Sequence, residues 1–232
     1  MTSINKNTFK KDIIIGTAQL GNKYGISNRN KNFSLNDRLN FLNFLYTNGF
    51  NSYDTAFAYK NSHEILGNWI NTNIVKPQIF TKLPKFENHD FKELSSIFSL
   101  SLRQLKVKKI EGLLLHNPKD WLNPETKLFI KQIIKNGKIK SFGLSIYDEK
   151  DILIDKNISI IQAPGNIFNQ QIFHSDKINN FQKNHGIMHI RSIFIQGLLL
   201  MPPETIPNKL DMLKKPLANI HYIAKEINID IT

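Results

Sequence analysis

The sequence encodes an α/β protein, an incomplete TIM (β/α)8-type barrel of about seven βα units in one domain over residues 1–232. Three observations support this. Short β-branched runs alternate with longer amphipathic stretches, the signature of strand–helix units around a parallel sheet. A chain of 232 residues fits one barrel of about 250 residues better than two small domains. The units stop at seven, whereas closure takes eight parallel strands. Strands 1 and 7 are therefore expected to keep unpaired backbone groups, which self-association through the open barrel edges would cover.

The elements follow in order. Strand 1 is Asp12–Gly16. Helix 1 runs Ser34–Asn48, with Ser34 as N-cap, Asp37 in the first turn and Gly49 as C-cap. Strand 2 is Asn51–Asp54 and helix 2 Ser62–Asn71; strand 3 is Gln78–Lys82 and helix 3 Asp90–Leu105. Strand 4 is Gly112–His116, and helix 4 Pro124–Asn136 is closed by Gly137. Strand 5 is Ile139–Leu144 and helix 5 Tyr147–Ile154; strand 6 is Ile158–Gln162 and helix 6 Asp176–Asn184. Strand 7, Ile187–Ser192, leads into a loop with Pro202, Pro203 and Pro207, then a last helix over Pro216–Ile227.

Composition narrows the chemistry. Hydrophobic residues make up 41% and charged residues 22%, enough for a sizeable core and against wholesale disorder. With no cysteine, disulfide scaffolds, thiolate metal sites and thiol catalysis are excluded. The polar, lysine-rich stretch Met1–Asp12 carries no signal peptide, and no run approaches the ~18 apolar residues of a membrane span. A cytoplasmic protein without membrane partners is expected. Lys and Arg number 31 against 19 Asp and Glu, a net charge of +12, but the lysines are scattered and no basic stripe alternates with aromatics, so no nucleic-acid partner is expected. His63, His174, His185, His189 and His221 lack paired metal-ligand spacing, so no metal is expected. Asn32-Phe33-Ser34 fits a glycosylation sequon but reads as the approach to the Ser34 cap.

Active sites of such barrels sit at the C-terminal strand ends. Strand 2 ends at Asp54, strand 3 at Lys82 and strand 4 at His116, and Tyr59 follows in the loop after strand 2. Each has a structural alternative when taken alone: Asp54 as a cap, Lys82 as a solvated strand end, His116 bonding locally beside Asn117-Pro118, Tyr59 as loop packing. Together they suit a carbonyl that gains a hydride on carbon and a proton on oxygen. A free phenol has a pKa near 10, too high for efficient proton exchange at neutral pH. The Lys82 ammonium is expected to lower it, with Asp54 holding the lysine and His116 placing the carbonyl oxygen.

The run from Asp54-Thr55-Ala56 through Tyr59 to Ser62-His63-Glu64-Ile65-Leu66-Gly67 resembles the signature of the aldo-keto reductases. Blocks in the family's order extend the resemblance over nearly the whole chain: Gly16-Thr17-Ala18, Thr81-Lys82-Leu83, Leu115-His116, Gly137–Ser145, Ile161-Gln162 and Ser192–Leu199. It implies an oxidoreductase that reduces an aldehyde or ketone, such as a sugar-type carbonyl, using NADP(H) or NAD(H). Asp54, Tyr59, Lys82 and His116 match its catalytic tetrad, with Tyr59 as general acid.

By the same resemblance Ser145 and Gln162 hold the nicotinamide amide, and Gly16, Thr17 and Ala18 follow strand 1 at the cofactor mouth. Ser192, Gln196, Gly197 and Leu198 lie along the pyrophosphate. The chain departs from the family in three places. Ile146 stands where an asparagine is common, Arg191 where a tyrosine often stacks on nicotinamide, and nothing matches the eighth strand with its contacts to the adenosine phosphate. Arg191 is still expected to bind the cofactor there, since a guanidinium plane can stack, and its charge suits a phosphate or an anionic substrate. The alternative is a truncated, non-catalytic relative or a binding module on the same scaffold.

Overall fold

The computed structural model describes residues 10–21, 24–28, 33–86 and 90–231. The stretch before Lys10 and the sequon residue Asn32 lie outside them. Seven strands, all parallel and in sequential order, form one sheet. They are β1 Ile14–Gly16, β2 Ser52–Asp54, β3 Gln78–Leu83, β4 Ile110–Leu115, β5 Ile139–Ser145, β6 Ile160–Pro164 and β7 Ile187–Arg191. Among the described residues β1 and β7 do not pair, so the barrel is open between them.

The sheet is nonetheless tightly curled. In a flat sheet β2 and β6 would stand roughly 19 Å apart, four strand spacings. Here Gln162 of β6 donates to the Asp54 carboxylate of β2 at 3.1 Å. His189 of β7 meets the Phe80 ring of β3 edge-on at 5.0 Å. Phe80, Leu114 and Ile160, with Ile14 against them, fill the inside of the curl.

Strand alternation sorts the two faces. Leu114 points inward, while Leu113 and Leu115 join the larger core beneath the helices with Tyr53, Trp69, Phe129 and Phe142. The helices are α1 Ala18–Gly21, α2 Leu35–Thr47, α3 Ser62–Asn73, α4 Phe91–Gln104, α5 Pro124–Lys135, α6 Asp176–Lys183 and α7 Lys214–Glu226. The Ser34 cap forms as a capping box: its hydroxyl accepts from the Asp37 amide, and the Asp37 carboxylate accepts from the Ser34 amide. Asn48 is the C-cap of α2, and Gly49 follows it at φ +90°.

Between β5 and β6 the structure corrects the sequence reading. The helix expected over residues 147–154 is a single 3-10 turn, Glu149–Asp151, capped by Asp148. Ile152, Leu153 and Ile154 are consecutive, so they cannot share one helical face: Ile152 is buried while Ile154 is exposed. The Asp155 carboxylate then accepts from the Asn157 amide at 2.9 Å, a turn that competes with helix. The chain also leaves β7 at Arg191, and Ser192 turns into the left-handed region at φ +63°. No helix of the described residues is long and apolar enough to cross a membrane.

Candidate active site

Asp54 ends β2, and the turn after it is fixed by buried hydroxyls. Thr17 gives both its amide and its hydroxyl to the Asp54 carbonyl, each at 2.9 Å. Ser62 donates to the Thr17 hydroxyl at 3.0 Å and lies 3.1 Å from that of Thr55. Thr17 thus serves Asp54, while Gly16 is exposed at the strand end with open space where a side chain would begin. Ala18 opens α1 and is half-buried. A Cβ on Gly21 would lie 2.0 Å from the Tyr59 carbonyl, so only glycine lets α1 approach the Tyr59 loop.

Lys82 is not a solvated strand end. It is 2% exposed, and its ammonium donates to both Asp54 carboxylate oxygens at 2.6 and 2.7 Å and to the Thr55 carbonyl at 3.2 Å. All three ammonium protons therefore have acceptors. The same ammonium lies over the Tyr59 ring, 5.6 Å from its centroid. His116 follows β4, its amide bonded to the Leu83 carbonyl at 3.3 Å. Asp54, Lys82 and His116 at the ends of β2, β3 and β4 thus share one mouth of the curl with Tyr59 of the loop after β2.

The electrostatics correct one expectation. The Tyr59 phenol is held well above the ordinary tyrosine value, first by burial and then by the Asp54 negative charge. Lys82 is not among the groups that pull it down. The cation acting in that direction is Arg191. His116 is lowered, chiefly by burial and then by the charges of Lys82 and Arg191, which favours the neutral imidazole near pH 7.

Gln162 and Ser145 are register partners on β6 and β5, both buried. The Gln162 amide nitrogen is taken by Asp54, whereas its carbonyl oxygen is buried without a hydrogen-bond partner. A primary amide such as that of nicotinamide fits this pair: its N–H satisfies the free Gln162 oxygen, and the Ser145 hydroxyl can donate to its carbonyl. The loop after β7 has Ser192, Ile195, Gln196 and Gly197 at positive φ. The Gln196 carbonyl accepts from the Ile26 amide at 2.9 Å, and Gly197 packs where a Cβ would come within 2.0 Å of the Ser27 hydroxyl. The Leu198 side chain is buried in an apolar cluster with Leu217.

The sequence reading named Arg191 but not what holds it. Arg191 donates from its guanidinium to the Ile146 carbonyl at 3.1 Å and stacks on the Tyr147 ring at 4.4 Å. Tyr147 carried no motif of its own, and a backbone carbonyl leaves no trace in sequence. His189, singled out in the sequence only for lacking metal-ligand spacing, points into the curl, with Nδ1 buried and unpartnered.

A curled parallel sheet with a buried carboxylate–lysine pair under a tyrosine at its mouth defines a barrel-type enzyme scaffold. The Aldo/keto reductase family model matches residues 12–218, and the chain belongs to that family. It is 25% identical over 162 residues to glyoxal reductase of Bacillus subtilis (strain 168), a match covering 66% of this chain and 56% of that protein. The chain therefore aligns with little more than half of that curated relative's length. In fold it resembles the glycerol dehydrogenase of Gluconobacter oxydans, with a TM-score of 0.75 at 20% identity over 95% of this chain and 76% of that one. It also resembles MGS-M4, an aldo-keto reductase from a Medee basin deep-sea metagenome library, with a TM-score of 0.60 at 18% identity over 86% and 78% of the two chains.

Proposed function

We propose that the chain reduces a small aldehyde or ketone with NADPH or NADH. The cofactor supplies a hydride to the carbonyl carbon; the protein supplies the proton to the oxygen and the geometry. Tyr59 is the proton donor. Burial and Asp54 keep its phenol protonated at neutral pH, and the Lys82–Asp54 pair fixes the floor beneath its ring. Neutral His116 offers an N–H to the same carbonyl oxygen. Gln162 and Ser145 hold the cofactor's amide, and the loop from Ser192 to Leu198, with Gly16 and Ala18 at the mouth, borders the rest of it. The similarity to a glyoxal reductase favours an aldehyde. We assign the work to the cytoplasm.

The saturated, buried Lys82 ammonium under the Tyr59 ring carries this reading, because such a lysine has no solvent role. The test is NADPH oxidation with a panel of aldehydes, alongside fluorescence titration of the nucleotide. Tyr59→Phe should lose at least about 10²-fold in kcat, the lower range for general acid catalysis. Undiminished turnover in that variant would overturn the assignment. The gap between β1 and β7 favours a second reading, a scaffold that does not turn over. Lack of nucleotide binding at roughly millimolar NADPH, where only Kd values weaker than that go undetected, would support it.

A further inference from the structure

Arg191 is a permanent cation at the mouth with no ion-pair partner among the described residues. Its strand register places it. Gln162 and His189 are partners on β6 and β7, as are Pro164 and Arg191. Gln162 and His189 both point into the curl, and by strand alternation so does Arg191, two residues (about 6.6 Å) nearer the open end. Lys82 and Leu114 are likewise partners on β3 and β4, and His116 stands two residues above Leu114. Leu114 pairs with Gly143, and Ser145, two residues above Gly143, pairs with Gln162, so His116 falls on the register line of Gln162 and His189, and Arg191 stands two residues further toward the mouth.

The guanidinium is ordered by the protein rather than neutralised by it. It has one hydrogen bond to the Ile146 carbonyl and one aromatic face under it. Among the described residues no carboxylate forms an ion pair with it: Asp54 is committed to Lys82. Its charge nonetheless reaches the catalytic groups, since it opposes the burial effect on Tyr59 and adds to that on His116. A half-buried guanidinium with N–H donors to spare, on a rigid platform, is a receptor for a planar or tetrahedral oxyanion.

We infer that Arg191, braced by Tyr147 and the Ile146 carbonyl, selects carbonyl substrates that carry a carboxylate or phosphate several bonds from the reacting carbon. This rests on the reductase reading above and adds the substrate class to it. The oxyanion sits on Arg191 while the carbonyl oxygen meets Tyr59 and His116.

The test compares kcat/KM for 4-carboxybenzaldehyde and 4-nitrobenzaldehyde at saturating NADPH, in the wild type and in Arg191→Gln. Any change in cofactor handling affects both aldehydes alike, so the ratio isolates the substrate contact. The carboxylate-to-nitro ratio should fall about 10- to 100-fold in Arg191→Gln, the range for losing a charge-assisted hydrogen bond, and Arg191→Lys should fall between. Glyceraldehyde 3-phosphate against glyceraldehyde distinguishes the phosphate source from the carboxylate. A ratio unchanged by Arg191→Gln for both anions overturns the inference while leaving the reductase reading intact. No turnover of any aldehyde by the wild type overturns the reductase reading instead. In that case benzoate binding still decides on Arg191: equal affinity in wild type and Arg191→Gln overturns its role.

Discussion

Gln162 shows how one side chain links two tasks. Its nitrogen bonds the Asp54 carboxylate, which already holds Lys82, and its oxygen is left buried and unsatisfied. An acceptor without a partner in a dry site costs about 1–3 kcal/mol, so it is kept where a ligand can satisfy it. Replacing Gln162 with Leu removes both the bond and the orphan. We expect NADPH to bind about 10-fold or more weakly, the equivalent of roughly 1.4 kcal/mol, with the loss read by nucleotide fluorescence titration. Unchanged affinity would mean that the free oxygen faces something other than the cofactor amide. The same region shows what a residue list hides. Asp54 and Lys82 were legible as strand ends because titratable residues there break an apolar run. That Asp54 would give both carboxylate oxygens to the lysine was not legible, because a bidentate contact of 2.6 and 2.7 Å depends on how the sheet curls.

Between elements, the clearest coupling is His63 on α3 with Thr81 on β3, 2.8 Å apart and both buried. Thr81 faces the helices while its neighbour Lys82 faces the site, so this bond fixes the strand from behind. Burial lowers His63 to about 4 from an unfolded value of 6.5. The folded state therefore favours the neutral ring. Its contribution is complete above pH 6.5 and is lost as pH falls toward and through about 4, an amount of roughly 3 kcal/mol. His116 and His189 are lowered in the same direction by burial. Chemical denaturation between pH 7 and 4 should show stability falling with acid, and His63→Gln should flatten that slope. An equally steep slope in the variant would exclude His63 as its source. The sequence foretold α3 through its amphipathic pattern, and the helices α2 and α5 through the Ser34 cap and through the Pro124 start with Gly137 at the end. It misled at residues 147–154 because three consecutive apolar residues resemble part of a helix stripe, and only packing shows that one is buried and another exposed. Tyr147 was lost to view in the same segment, although its ring supports Arg191.

Among the described residues the apolar side chains form three bodies, of which the small one inside the curl was described above. The main core joins the sheet to the helices from α2 to α6. A separate cluster of Leu198, Leu199, Met201, Ile206 and Leu217 ties the loop after β7 to α7, with Ile26 packed against it. This smaller body lies next to the opening where β1 and β7 carry no further strand, and residues of both edge strands are less buried than those of β3 to β6. Small apolar clusters unfold locally at lower free energy than a central sheet. Leu217 is fully buried at the centre of the small cluster, and truncating it to alanine removes contacts worth about 2–5 kcal/mol. Hydrogen exchange should therefore show amides of 197–231 opening more readily than those of β3 to β5 in the wild type. In Leu217→Ala the gap should widen by that amount while the central strands keep their protection. Because the loop of Ser192 to Leu198 belongs to this body, the variant should also bind NADPH more weakly with the Lys82–Asp54 pair untouched. Equal loss of protection across all seven strands would show instead that α7 and the curled sheet unfold as one unit.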